Sequence, residues 1–387
     1  MRVDSNAAML DQDTQEFRGH IARWVDERLA PQAEALDRKG EFPHELFREF
    51  ASLGYLGALY PEAIGGSGLA NPHTCFAVLC EELSRGSMGF AAGVCMQGST
   101  ATYTLYKWGG KALHERFLLP ALRGEKIAAF ALTEPNAGSD AASLRTRATK
   151  AQGGYVLNGS KIFTTHGTVA DFITVVATTD PSRGLKGLDL FVVDAKTKGF
   201  SVGRKLEKFT IHCSDTAELA FDNVFVPEEC RLGGGEEGGF LNAYKSLTVD
   251  RVFTAALAVG NAQAAYDAAL RYAKERVQFG QPIGSFQAVQ FKLVDMLATL
   301  EQARLYTYYA AGRADRGEPI TTQAALAKLV AADGCNEVCQ KALAIFGGYG
   351  LMHEFPVQRF LRDSYFPIVG GGTSDIMRLI VARQLGL

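Results

Sequence analysis

The sequence predicts an α+β protein of three successive units, helical, then β, then helical again. Two observations carry this expectation. The spacing of apolar residues changes from helical to strand-like and back, and glycine-rich or turn-forming stretches punctuate the chain along the way. Residues 1–126 are therefore expected to form an N-terminal helical domain, 127–234 a middle β-barrel or sandwich, and 235–387 a C-terminal four-helix bundle.

In the first unit, Phe17, Ile21, Trp24 and Leu29 recur at helical spacing, as do Leu46, Phe50 and Leu53, with Asn71-Pro72 and Gly109-Gly110 as breaks. From Ile127 to about Leu232 the apolar runs become short and rich in β-formers, as in 172–179 and 188–193. Gly153-Gly154, Asn158-Gly159 and Asp180-Pro181 read as turns between or beside them. After Gly233-Gly234-Gly235 long amphipathic segments return. Val289, Leu293, Met296 and Leu300 share one stripe, and long helices with short breaks suit an antiparallel bundle.

At 387 residues the chain is too long for one small core. A net charge of −2 gives no electrostatic case for nucleic acid or an anionic membrane as a partner. No apolar run approaches the length needed to span a bilayer, and residues 1–6 lack a signal-peptide core, so a cytoplasmic location is expected. The seven cysteines are scattered and odd in number, which reads as reduced thiols. Cys335 and Cys339 share a helix face, but no nearby histidine completes a metal site, and no metal is expected. The phosphate-loop, dinucleotide-binding, nucleophile-elbow and zinc-protease motifs are absent.

Chemistry concentrates in Phe130-Ala-Leu-Thr133-Glu134-Pro135-Asn136-Ala137-Gly138-Ser139-Asp140, which packs hydroxyls, a turn and backbone amides into one loop suited to a planar, polar-edged cofactor. Phe163-Thr164-Thr165-His166-Gly167 follows one hairpin later, so Thr133, Ser139, Phe163 and Thr165 are candidates to line one cleft. Other motifs come in a fixed order: Gly54-Tyr-Leu-Gly57, Tyr60-Pro-Glu-Ala-Ile-Gly-Gly-Ser-Gly68, the segment from Arg276 to Gln287, Phe346-Gly-Gly-Tyr-Gly350, Arg362-Asp363 and Gly372-Thr373-Ser374. Together they resemble the acyl-CoA dehydrogenase family over nearly the whole chain.

That resemblance implies an FAD flavoprotein that dehydrogenates an acyl thioester, carried by CoA or by an acyl carrier protein. It further implies a homotetramer, a dimer of dimers, that passes electrons to an electron-transferring flavoprotein. The implied cofactor residues are Leu132, Thr133, Ser139, Phe163, Thr165, Arg276, Phe279, Gln287, Gly348, Thr373 and Asp375. Thr133 and Thr165 would meet the polar edges of the flavin, where charge and hydride arrive. Phe163 stands where tryptophan is usual and keeps an aromatic face of smaller area. Arg276, Phe279 and Gln287 would reach a neighbouring subunit's cofactor, the arginine toward the diphosphate. Two positions depart from the family: Ala344 replaces a usual glutamine, and Asp375 a glutamine or glutamate.

The family chemistry needs a carboxylate at the α-carbon. Many members place a glutamate just before Gly-Thr-Ser, where this chain has Gly371. Isovaleryl- and long-chain-type members carry it directly before an arginine on an early bundle helix, which here matches Asp250-Arg251. Asp250 is the leading candidate base, although its shorter side chain retreats by about 1.5 Å, and misplacement of about 1 Å costs on the order of a hundredfold. The competing reading of Asp250 is an idle acid in a helix's first turn. Gly371 offers its N–H to the thioester carbonyl. Gly370 and Gly371 together widen the pocket toward branched, cyclic or polar acyl groups. Ser139, Arg251 and Gly370 complete the substrate set. His166 and His212 read as satisfied polar groups. The rival functions are a flavin oxidase or monooxygenase on the same scaffold, and a catalytically idle flavoprotein.

Overall fold

The computed structural model describes residues 10–233 and 239–387. Helices α1 (Gln12–Trp24), α2 (Ala33–Lys39), α3 (His44–Ser52), α4 (Pro72–Gly86), α5 (Met88–Cys95), α6 (Ala101–Trp108), α7 (Lys111–Leu113) and α8 (Leu119–Leu122) make the N-terminal unit. Local chemistry sets their ends. Asp11 caps α1 by accepting the Thr14 N–H at 2.8 Å, Gly40 ends α2 at φ 62°, and Pro72 begins α4. Between α5 and α6 the chain passes through a π-helical stretch, Met96–Thr100, a widening frequent where a helix carries function.

Eight strands follow: β1 (Ala128–Ala131), β2 (Arg147–Ala151), β3 (Gly154–Thr165), β4 (Phe172–Thr178), β5 (Leu188–Asp194), β6 (Phe200–Lys205), β7 (Thr216–Pro227) and β8 (Arg231–Leu232). Their order is β6-β7-β3-β2-β4-β5-β8, with β1 also parallel to β4. The two halves are joined through one bridge, Arg147 to Thr178. Tyr155 on β3 meets Phe191 on β5, ring centroids 5.1 Å apart, so strands that are not neighbours in the sheet face each other across a core, as in a sandwich. Asn158-Gly159 is not a turn. It lies inside β3 at a register shift against β7, where Gly159 takes φ 148° and a Cβ would stand 2.6 Å from Thr146 Oγ1.

The last unit holds α9 (Gly239–Glu275), a small hairpin of β9 (Val277–Gln278) and β10 (Gln281–Pro282), α10 (Gln287–Asp315), α11 (Thr321–Phe346), α12 (Val357–Asp363), α13 (Phe366–Val369) and α14 (Ser374–Gln384). α9, α10 and α11 pack on one another, with α14 against α11 and α4 of the first unit against α9. Phe76 of α4 and Phe253 of α9 meet edge to face at 4.6 Å, so the N-terminal unit closes directly over the bundle. Among the described residues no helix is long and apolar enough to cross a membrane.

Candidate active site

β1 ends in a loop that is anchored early. The Glu134 N–H donates to Ala137 O at 2.9 Å and the Ala137 N–H returns to Glu134 O at 3.2 Å, closing a tight turn over Pro135-Asn136. The buried Glu134 carboxylate accepts from the backbone N–H groups of Arg145 (2.7 Å) and Thr146 (2.8 Å) and from Lys161 Nζ (2.8 Å). Lys161 also donates to Leu132 O at 2.9 Å. Burial alone would raise the Glu134 carboxyl, but the bonds from Lys161 and Thr146 outweigh it and hold it below its usual range. Burial pushes Lys161 down to about 8 against the pull of Glu134, so both groups are charged at neutral pH. This pair fixes the loop from beneath, and among the described residues the Thr133 and Ser139 hydroxyls have no hydrogen-bond partner.

The Ile162 N–H donates to Thr133 O at 2.9 Å, which brings the end of β3 beside the loop. A register shift between Lys161 and Thr164 then re-aims the strand. Phe163 takes φ 58° and is 64% exposed. A bulky residue in the left-handed region that also shows its ring to solvent stores strain of the kind found at binding sites. Thr165 pairs with Thr216 of β7 on the same strand end. Leu132, Thr133, Phe163 and Thr165 are thus gathered at one corner of the β unit, which supplies one aromatic ring and two hydroxyls. That donor set suits the polar edge of a flavin.

Asp250 stands well inside α9, not in its first turn, so the helix-dipole reading of this residue does not apply. Its Oδ1 accepts from the Ser99 hydroxyl, and the Thr100 hydroxyl donates to the same carboxylate. Both donors come from the π-helical stretch. Burial pushes the Asp250 carboxyl up to about 6, opposed by these hydroxyls and by the Arg251 charge. A carboxylate tuned near neutrality can take a proton at working pH and release it afterwards.

Gly371 is held against the same helix. It has φ 69°, and a Cβ there would stand 3.3 Å from Thr254 Oγ1, whose hydroxyl donates to Asp250 O at 2.9 Å. Gly371 therefore abuts α9 one turn past Asp250. Gly370 departs from expectation. The space of its missing side chain is filled by the Phe366 ring, which a Cβ would meet at 2.7 Å, so Gly370 makes room for that ring and not for an acyl group. Arg251 is 4% exposed, donates to Tyr244 OH at 3.1 Å, lies over the Tyr244 ring at 5.0 Å, and leaves Nε without a partner among the described residues.

Arg276 and Gly348 come together in a second, open pocket of about 510 Å³, which Tyr272, Gln278, Gly347 and Tyr349 also line. The Arg276 guanidinium sits 5.3 Å over the Tyr349 ring. Apart from adjacent backbone, no atom of the described residues lies within 4 Å of where side chains would stand on Gly347 and Gly348, so their backbone is open beside the arginine, as a diphosphate requires. Phe279 caps the β9–β10 turn at φ 51° and is 93% exposed, and Gln287 is exposed at the start of α10. Thr373 spends its hydroxyl capping α14, accepting the Ile376 N–H at 3.2 Å. Asp375 is exposed and pairs with Arg378 at 3.2 Å. The 132–165 group and the Arg276–Gly348 group suit FAD as a ring corner and a diphosphate corner, whereas the side chains of Thr373 and Asp375, expected at the cofactor, are engaged within α14.

Both histidines have structural partners, although the buried His166 Nε2 has none among the described residues, so that ring is satisfied at one nitrogen only. His166 shares a bond with Ala128 O at 3.0 Å, is packed by Phe42 and Phe47, and burial pushes it down to about 4. His212 lies between Asp37 and Arg362. Sequence reasoning missed Ser99, the Glu134–Lys161 pair and Lys328. Lys328 had a signal, a lone charge on an otherwise small and apolar stripe of Ala324, Ala325, Ala331 and Ala332. Nothing in the pattern linked residue 99 to residue 250.

Three family models match in chain order: "Acyl-CoA dehydrogenase, N-terminal domain" over residues 11–125, "middle domain" over 129–224 and "C-terminal domain" over 237–386. Benzylmalonyl-CoA dehydrogenase of Aromatoleum aromaticum is 46% identical over 365 residues, covering 94% of this chain and 96% of that protein. The solved structure of butyryl-CoA dehydrogenase from Megasphaera elsdenii aligns with a TM-score of 0.94 at 40% identity, covering 98% of this chain and 99% of that one. A structure of PigA with FAD and proline aligns with a TM-score of 0.94 at 30% identity, covering 98% of both chains.

Proposed function

Because the chain belongs to the acyl-CoA dehydrogenase family, FAD-dependent oxidoreductases of CH–CH bonds, we propose that Asp250 removes the α-proton of an acyl-CoA thioester and that the Gly371 N–H holds the thioester carbonyl. FAD, when bound, supplies the acceptor for the hydride that leaves the β-carbon. The observation that carries this reading is the Asp250 carboxylate. Ser99 and Thr100 steady it and burial lifts it to about 6, while Thr254, bonded to the Asp250 backbone carbonyl, stands beside Gly371. Thr133, Phe163 and Thr165 receive the ring system. Arg276, Phe279, Gln287 and Gly348 belong to the diphosphate and adenine end, contributed across a subunit interface.

Assembly into a homotetramer is part of the proposal. Phe279, and Phe291 and Val294 on α10, expose large apolar surface whose burial between subunits would be favourable. An electron-transferring flavoprotein is the proposed acceptor, and the cytoplasm, where seven buried and unpaired thiols persist, the proposed location.

A second reading concerns the acyl group. The glycine at 371 removes the usual base, and the relative from Aromatoleum aromaticum is named for a malonyl-type thioester. A carboxylate on the α-carbon opens another route to the same enolate: its C–C bond breaks, CO2 leaves, and the electron pair stays on the α-carbon with no base required. Anaerobic titration with butyryl-, isovaleryl-, 3-phenylpropionyl- and 2-benzylmalonyl-CoA, following flavin absorbance, separates the readings. Bleaching by a simple acyl-CoA that Asp250→Asn abolishes supports proton removal. Bleaching by the malonyl ester alone, undiminished in Asp250→Asn, supports loss of CO2. No bleaching by any of them would favour a carrier-protein substrate or an idle scaffold, and rapid reoxidation in air an oxidase.

A further inference from the structure

The loop that carries Gly371 is made of three consecutive glycines, the backbone least able to hold a conformation by itself. It runs from α13 to α14, and two side chains of α11 reach it or its exit. Asp333 accepts from Ser374 Oγ at 2.9 Å and pairs with Arg378 at 2.8 Å, fastening the start of α14. Lys328, 0% exposed, donates to Gly372 O at 2.6 Å and to Ile368 O at 3.4 Å. Those two carbonyls lie on either side of Gly371.

We propose that Lys328 is a positioning residue of the thioester site: its ammonium clamps the backbone on both sides of Gly371 and thereby aims the Gly371 N–H at the thioester carbonyl. This rests on the reading of Gly371 given above. A lysine is an expensive fastener. Burial pushes its ammonium down to about 8, with the Asp333 charge opposing and the Arg251 charge adding to the fall. A methionine would fill the same space in an Ala-lined helix interface without that penalty. What methionine lacks is donors. An ammonium has three, enough to hold two carbonyls four residues apart. The rest of the loop depends on few other restraints: the Gly370 N–H donates to Phe366 O at 2.8 Å, and Gly371 and Gly372 follow at φ 69° and 98°.

The test compares two ligands on the FAD-loaded protein by calorimetry: crotonyl-CoA, and its thioether counterpart S-(but-2-enyl)-CoA, which lacks the carbonyl oxygen. Wild type is expected to prefer the thioester by roughly five- to tenfold, the worth of one hydrogen bond. In Lys328→Met the preference should fall to within about twofold, with affinity for the thioether unchanged. If that variant does not retain FAD, Lys328→Gln takes its place. It keeps a donor on a shorter arm, and the preference should fall partway. Full preference retained in the variant overturns the proposal, as does an equal loss of affinity for both ligands, which would mark a merely structural lysine. Equal binding of the two ligands by wild type would overturn the Gly371 reading and this inference with it.

Discussion

Asp250 must meet two opposing demands. As the proposed base it must be ionised to take a proton, and to face an acyl chain it must be screened from water. The structure reconciles them with a carboxyl lifted by burial to about 6 and steadied by the Ser99 and Thr100 hydroxyls. Asp250→Asn keeps the shape and removes the basicity, so the rate of flavin reduction is expected to fall by at least about a hundredfold. The same pKa carries a stability prediction. A carboxyl whose pKa is raised in the folded state contributes stability that is full below its unfolded value of 3.8 and is lost as pH rises through about 6. Asparagine has no such loss. Thermal melts should therefore find Asp250→Asn more stable than wild type at pH 7.5, by up to about 3 kcal/mol, with the gap closing toward pH 4. A variant less stable than wild type at pH 7.5 would contradict the burial argument.

The corner proposed for the flavin ring is organised by elements that the sequence showed only in part. The hydroxyls of the 133–139 loop are legible, because Thr133 and Ser139 surround an obvious turn. Its anchor is not: Glu134 and Lys161 lie on different elements, and no periodicity pairs them. Lys161→Met leaves Glu134 buried without its cation, a defect worth about 3–5 kcal/mol. The melting temperature should drop, and FAD affinity, measured by quenching of flavin fluorescence, should weaken by tenfold or more. Unchanged FAD affinity would mean that the pair serves the β unit alone. Asn158-Gly159 illustrates the opposite failure. The dipeptide is a strong turn signal, but β3 continues through it as a bulge because pairing with β7 on both sides outweighs the local preference.

At the scale of the molecule, the three-unit order was readable because each unit buries its apolar residues with a different period. The packing of α5 and the π-helical stretch after it onto α9, which brings Ser99 to Asp250, was not, since packing between distant segments leaves no local pattern. The surface at Phe279, Phe291 and Val294 is read as an assembly interface. Phe279→Asp with Phe291→Asp should leave the fold intact, both rings being exposed. Sedimentation should show smaller species that release FAD more readily. A variant that sediments as wild type does would remove this face from the interface.

The most direct test is the pH dependence of anaerobic flavin reduction in stopped flow, from pH 5 to 8, using whichever acyl-CoA bleaches the protein fastest, with wild type and Asp250→Asn side by side. Proton removal by Asp250 predicts a wild-type rate that rises about tenfold per pH unit below roughly 6 and levels off above it, and a variant with little reduction at any pH. A flat profile shared by both proteins would contradict Asp250 as the base.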